Sequence, residues 1–392
     1  VVKLTRKDLV HLLLLWLGGI CLRLTMLAIP PLIPLIHRDL QLDEKAVGAL
    51  LSLPVLLLAL ASVPGSLLIA KIGVRGALVA GLGFIAVFSA LRGADSTPVL
   101  FAASFLMGVG ISVSQPAFPS LVRDWFPTRI VLATAVYSNG ILIGETIPVA
   151  LTTPVGVLPL AQGDWRWALA SWSILVIGSA VAIGIAAPGR RRKLTVPTRW
   201  WPSWLEGQAL RIGLVIGMAS AVYWGANAYI PDYLDQTGRH DLITPTLVAL
   251  NGAQLLTAPA VALWPRLLTG RIGFLGSATL MAITQIGIVL TPGPLVVAWA
   301  FALGFSTALA FIVTLTLPPK LAAAGDVHRM SAAVFTVQYG TAFVVPLIAG
   351  AIWDASGLAI FAFIPGIIAA AVMGWLALPI RIPSEPRPSA GT

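Results

Sequence analysis

Charge is what this sequence has least of. Only 10% of its 392 residues are Asp, Glu, Lys or Arg, and 58% are hydrophobic. A soluble globular chain carries roughly 25% charged residues. A water-soluble fold of this size cannot hide so much apolar surface, so the solvent is lipid and the chain is a polytopic membrane protein. Cysteine is almost missing too. Cys21 stands alone, which excludes an intramolecular disulfide and a cysteine metal cluster. The four histidines, His11, His37, His240 and His328, fall at predicted span ends or in loops. No pair of them has metal-ligand spacing, so neither a metal nor another cofactor is expected. Acid is scarcer than base, and the net charge is +10. The basic residues form no stripe alternating with aromatics, which argues against a nucleic-acid partner. Nor is there a visible nucleophile, metal cluster or pair of acids that would make a membrane enzyme.

What is abundant is apolar sequence of spanning length. About 20 apolar residues cross the hydrocarbon core as a helix. That rule gives twelve spans near 9–36, 46–70, 75–92, 98–120, 131–154, 167–187, 209–233, 243–265, 272–291, 295–317, 330–352 and 358–380. The runs lack the period-two alternation of barrel strands, so the fold class is all-α. The first run has no small-residue cleavage signature and is too long for a signal peptide core, so it reads as a spanning helix.

Lys and Arg set the orientation. Nineteen of the 25 fall at the span ends that share a side with both termini, five fall opposite, and Arg23 remains inside a span. Both termini are therefore expected in the cytoplasm. The segment 188–206 is the one basic connection of any length. Its Trp200, Trp201 and Trp204 suggest an amphipathic piece in the headgroup region. It separates an N-terminal bundle, 1–187, from a C-terminal one, 207–392.

The two bundles are related. Lys71-Ile72-Gly73 with Gly76 recurs 200 positions later as Arg271-Ile272-Gly273 with Gly276. Arg129, Ala133 and Gly140 recur as Arg329, Ala333 and Gly340, and Pro31 as Pro231. A constant offset in three places is a poor match to chance. Six helices return the chain to its starting side, so the repeat is parallel. Two six-helix bundles joined by a central loop fit the major facilitator fold, with a site near mid-membrane between them.

The connection SLLIAKIGVR (66–75) resembles the major facilitator loop motif. Lys71, Gly73 and Arg75 match it, but Ala70 stands where the motif has its gate-locking Asp, so that role is not carried over. Three further stretches are LRLTMLAIPPLIPLI (22–36), GVGISVSQPAFPSLVRDWFPTRIVLATAVY (108–137) and GAIWDASG (350–357). They resemble the cyanate permease and 2-nitroimidazole transporter family of major facilitators. That family usually has Asn two residues before its first-helix Arg, where this chain has Cys21. The resemblance implies a monomeric secondary transporter of a bacterial inner membrane, working by alternating access.

The residues themselves single out Arg23. A guanidinium at mid-membrane costs from ~2.5 to over 10 kcal/mol, and it does not shed its proton. It must face water, a fixed acid or an anionic substrate. Glu145 is the one acid well inside a span, at a similar depth in span five. A salt bridge with Arg23 is one expectation for it, and a proton carrier in coupling or gating is the other. In the second bundle Tyr223 occupies the repeat position of Arg23, Trp224 is adjacent, and Asn227 follows one turn on. Asn251 and Gln254 lie mid-span in span eight, Gln338 and Tyr339 in span eleven, and Ser114 and Gln115 in span four. One cation among amides and aromatic edges suits a compact anion as substrate, with H⁺ as its partner in concentrative uptake. The bland alternative for each polar residue is a bond between helices, worth ~0.6 kcal/mol. The rival function is export of drugs or metabolites on the same scaffold, with Arg23 tied to Glu145.

Overall fold

The computed structural model describes residues 5–60, 62–94, 96–115, 117–126, 129–152, 157–186, 207–268, 271–315 and 327–380. The basic connection 188–206 with its tryptophans lies outside the described residues. Every regular element among the described residues is helical. Among the described residues nine helices are long and apolar enough to cross a membrane. The other three passages are span two, from Glu44–Leu60 onward, span five, Ile130–Leu151, and span eight, which is broken.

Span one opens on a capping box. The Thr5 hydroxyl accepts from the Asp8 amide, and the Asp8 carboxylate accepts from the Thr5 amide. The helix Arg6–Leu27 then stops before Pro30–Leu32, a single 3-10 turn, and resumes as Ile33–Leu40. Proline lacks the amide proton that would continue the ladder, which explains the break. The repeat-related Pro231 lies inside an unbroken helix, Gly207–Gln236. Within Ser62–Leu91 the end of span two turns into span three at Gly73, which is not helical and has a φ of 81°.

The neighbours repeat with a shift of six spans. Span one packs on five as seven packs on eleven, three on four as nine on ten, and three on six as nine on twelve. Between the two groups the contacts are also reciprocal: span two meets eleven and span five meets eight. Burial follows this arrangement. The most apolar window of span one is 83% buried and that of span seven 72%, against 33–56% for the other seven. Spans one and seven are thus the central pair. Ile174, Ile185, Leu290 and Trp375 point outward from peripheral spans, as lipid-facing side chains do.

Candidate functional site

Two glycines set the distance between spans one and five. A Cβ on Gly140 would strike the Trp16 carbonyl, and one on Gly144 the Ile20 carbonyl. Only small residues let two backbones approach so closely. The contact puts Glu145 opposite Arg23, with Nε 3.3 Å from Oε1. Arg23 is 6% and Glu145 7% exposed, so the pair is desolvated. The Nε proton is not aligned on an acceptor, so the attraction there is coulombic rather than a directed hydrogen bond.

The rest of the guanidinium is partly held. Its Nη1 donates to Gln115 Oε1 at 3.2 Å and to the Leu22 carbonyl at 3.4 Å. Gln115 sits where the helix Thr97–Ser114 ends and Ala117–Trp125 has yet to begin. Its Nε2 reaches the Tyr339 hydroxyl of span eleven at 3.5 Å.

Glu145 is held from the second bundle as well. Gln254 Nε2 donates to its Oε2 at 3.1 Å. The Tyr223 hydroxyl stands 3.1 Å from the same oxygen and 2.6 Å from Asn251 Oδ1. A phenol has one proton, so it serves one acceptor at a time. Asn251 Nδ2 donates to Asn227 Oδ1 at 3.0 Å, and Asn227 Nδ2 to the Tyr223 carbonyl at 3.0 Å. Span eight makes this possible by breaking. Asn251 lies in the last turn of the helix Ile243–Gly252, and Gln254 in the 3-10 turn Ala253–Leu256 before Thr257–Leu263.

Arg23, Gln115, Glu145, Tyr223, Asn227, Asn251, Gln254 and Tyr339 therefore form one chain of polar contacts that crosses between the span groups. Trp224 borders it, edge-on to Tyr223 with ring centres 5.3 Å apart. Two other residues selected from the sequence lie elsewhere. Ser114 packs on span three, where a Cβ at Gly81 would strike its hydroxyl, because successive helical residues point about 100° apart and it faces away from Arg23. Gln338 donates to Ser220 at 3.1 Å within the second group. Arg92, expected among the loop charges, is only 1% exposed. It donates to the Thr25 carbonyl at 2.6 Å.

The sequence reading missed a second polar cluster, at the end of the bundle opposite the termini. His37 Nδ1 lies 2.8 Å from Asp232 Oδ2 and 3.8 Å from Glu44 Oε1. Histidine spacing along the chain does not register acids that packing brings to a single histidine. His37, Glu44 and Asp232 bring their ligand atoms within 4.8 Å of one another. Only tertiary packing joins residues so far apart in sequence. The signals available were Asp232 directly after Pro231 and the acid Asp354 in the GAIWDASG stretch.

The family model for the Major Facilitator Superfamily matches residues 15–346. The chain is 26% identical to the 2-nitroimidazole transporter of Escherichia coli (strain K12) over 349 residues, 86% of each chain. It is 24% identical to the cyanate transport protein CynX of the same organism over 315 residues, 78% of this chain and 80% of that one. Among solved structures, a bacterial homologue of the human lysosomal transporter Spinster, inward-facing and occupied, superposes with a TM-score of 0.75. That match has 15% identity and spans 96% of this chain and 97% of the other, a likeness of fold. With a matched region of this length and twelve helical passages in this order, the chain belongs to the major facilitator superfamily.

Proposed function

We propose that this multi-pass secondary transporter, which works by alternating access, carries a small anion of the cyanate, nitrite, nitrate or small organic class, and that Arg23 binds it. The observation that carries the reading is the position of the Arg23–Glu145 pair. It lies between the span groups, and the second group grips Glu145 through Tyr223 and Gln254. A pair that only tied span one to span five would need no such hold.

As it stands the pair cancels its own charge, so an anion must take the place of Glu145 on the guanidinium. Charge-assisted bonds from Arg to an anion match those it makes to a carboxylate. The displaced carboxylate would then be a lone buried charge, which is costly. Taking a proton removes that cost. Anion and proton therefore enter together in this scheme, and Glu145 is the coupling residue. The coupling is also what an anion needs on electrical grounds. Entering a negative-inside cell costs ~2.3 kcal/mol per charge per 100 mV. Gln115, Asn227, Asn251, Gln254 and Tyr339 supply amides and a phenol for the remaining oxygens or nitrogens of the substrate. Ser114 and Gln338 are positioned to support helix packing. The Lys and Arg bias orients both termini to the cytoplasm, so the His37 end faces outward.

A second reading has its own observation. An exporter of nitroimidazole-like compounds would keep Arg23 tied to Glu145, and the two are in ion-pair contact. Proteoliposome flux separates the readings. The anion reading expects cyanate, nitrite or a small carboxylate to accumulate when an inward pH gradient is imposed, and Arg23→Ala to abolish the accumulation. Flux confined to neutral aromatic compounds, and retained by Arg23→Ala, would decide for the exporter.

A further inference from the structure

We propose that His37, Glu44 and Asp232 form a binding site for a divalent transition metal of the zinc class, which latches the two span groups together at the end opposite the termini. The inference uses alternating access but no assumption about the cargo.

The three ligands come from both sides of the closure. His37 lies on the last helix of span one, Glu44 opens span two, and Asp232 lies near the end of span seven. His37 Nδ1 is 2.8 Å from Asp232 Oδ2 and 3.8 Å from Glu44 Oε1. Zinc bonds imidazole nitrogen and carboxylate oxygen at about 2.0–2.2 Å, so tetrahedral ligand atoms sit about 3.3 Å apart. These two separations bracket that value, and all three ligand atoms lie within 4.8 Å of one another. One imidazole with two carboxylates is also a donor set that zinc accepts.

A cluster of acids alone would say little. The second observation is Glu44 Oε2. The residue is 4% exposed, and that oxygen is buried without a hydrogen-bond partner. Gln236 Nε2 reaches only the other oxygen, Oε1, at 3.3 Å. A buried carboxyl oxygen with no amide or side-chain N–H donating to it, beside a second buried carboxyl group, is electrostatically incomplete. Among the described residues no Lys or Arg ion pair reaches Glu44 or Asp232, so His37 is the one base against two acids. Asp354 is not a competing ligand. Both its oxygens are occupied by the backbone amides of Glu44 and Lys45, where it caps the start of span two. The His37 side chain is 30% exposed, which leaves an approach from water.

Because the donors belong to both span groups, the site exists only while this end is closed. A metal that binds there stabilises the closed arrangement, and by linkage closure tightens the metal. The consequence is inhibition: metal holds the transporter in one half of its cycle.

The test begins with the metal-stripped full chain in detergent and Zn²⁺ as the probe, measured by equilibrium dialysis. The expected result is one Zn²⁺ per chain at micromolar free metal, with an X-ray absorption spectrum showing an oxygen and nitrogen shell that contains one imidazole. His37→Ala and Asp232→Asn should weaken binding by at least about tenfold. His37→Cys, which restores a ligand atom, should recover it. His240→Ala is the control, since His240 pairs with Asp235 on the exposed surface of the same end. Spin-label distances across this end should contract with Zn²⁺ in the wild type and not in Asp232→Asn. No stoichiometric binding by the wild type would overturn the proposal without recourse to any variant. So would binding that His240→Ala abolishes and His37→Ala leaves intact.

Discussion

Two polar clusters join the span groups, and they differ in charge balance. At mid-membrane one permanent cation faces one acid, and that acid accepts from Tyr223 and Gln254 as well. At the far end one histidine faces two acids, and a carboxylate oxygen is left without a donor. The first cluster is neutral and enclosed, so its chemistry is exchange: a ligand enters only by displacing a partner. The second sets two carboxyl groups against one histidine and has a partly open rim, the setting in which we propose capture of a cation. In the proposed scheme one serves the cargo and the other serves the gate.

The comparison breaks most sharply at Arg23. Arg23→Ala leaves Glu145 buried without its cation, and removing one partner of a buried pair costs about 3–5 kcal/mol. Thermal unfolding in detergent should show a large loss, together with loss of transport. Arg23→Ala combined with Glu145→Ala should regain most of the stability and none of the transport. Recovery of transport by the double variant would mean that the pair is scaffolding only.

Glu145→Gln comes next. It keeps the shape and the Tyr223 contact but removes the charge, so Arg23 is free for an anion. Anion exchange should persist while dependence on the pH gradient disappears. A smaller effect is expected at the far end. Asp232→Asn weakens a bond to a partly exposed histidine, worth about 1 kcal/mol at most after solvent screening. Spin-label distances in the absence of metal should show a several-fold rise in the open arrangement, with the mid-membrane site unaltered. The smallest change belongs to Tyr223→Phe. It removes one interhelical hydrogen bond, worth ~0.6 kcal/mol, and should lower transport about threefold at most.

Much of the fold could be read from the chain because lipid imposes length and composition on each span. The central ion pair was readable for the same reason. Arg23 and Glu145 are conspicuous wherever charge is rare, and their equal depth was visible by counting residues. Finer distinctions depended on helix ends. Gln115 reaches Arg23 while Ser114, its neighbour, turns to Gly81, and sequence periodicity through the end of a helix does not separate them. The broken span eight was likewise hidden, since 243–265 reads as one apolar run. His37 and Asp232 lay beyond reach because nothing local pairs residues 195 positions apart.

The central claim is that Glu145 takes a proton when an anion takes Arg23. Calorimetric titration of the purified protein with cyanate, in buffers of different ionisation enthalpy, counts the protons bound per anion. The account expects about one proton taken up by the wild type, none by Glu145→Gln, and no anion binding by Arg23→Ala. Equal proton uptake by the wild type and Glu145→Gln, or cyanate binding that survives Arg23→Ala, would contradict it.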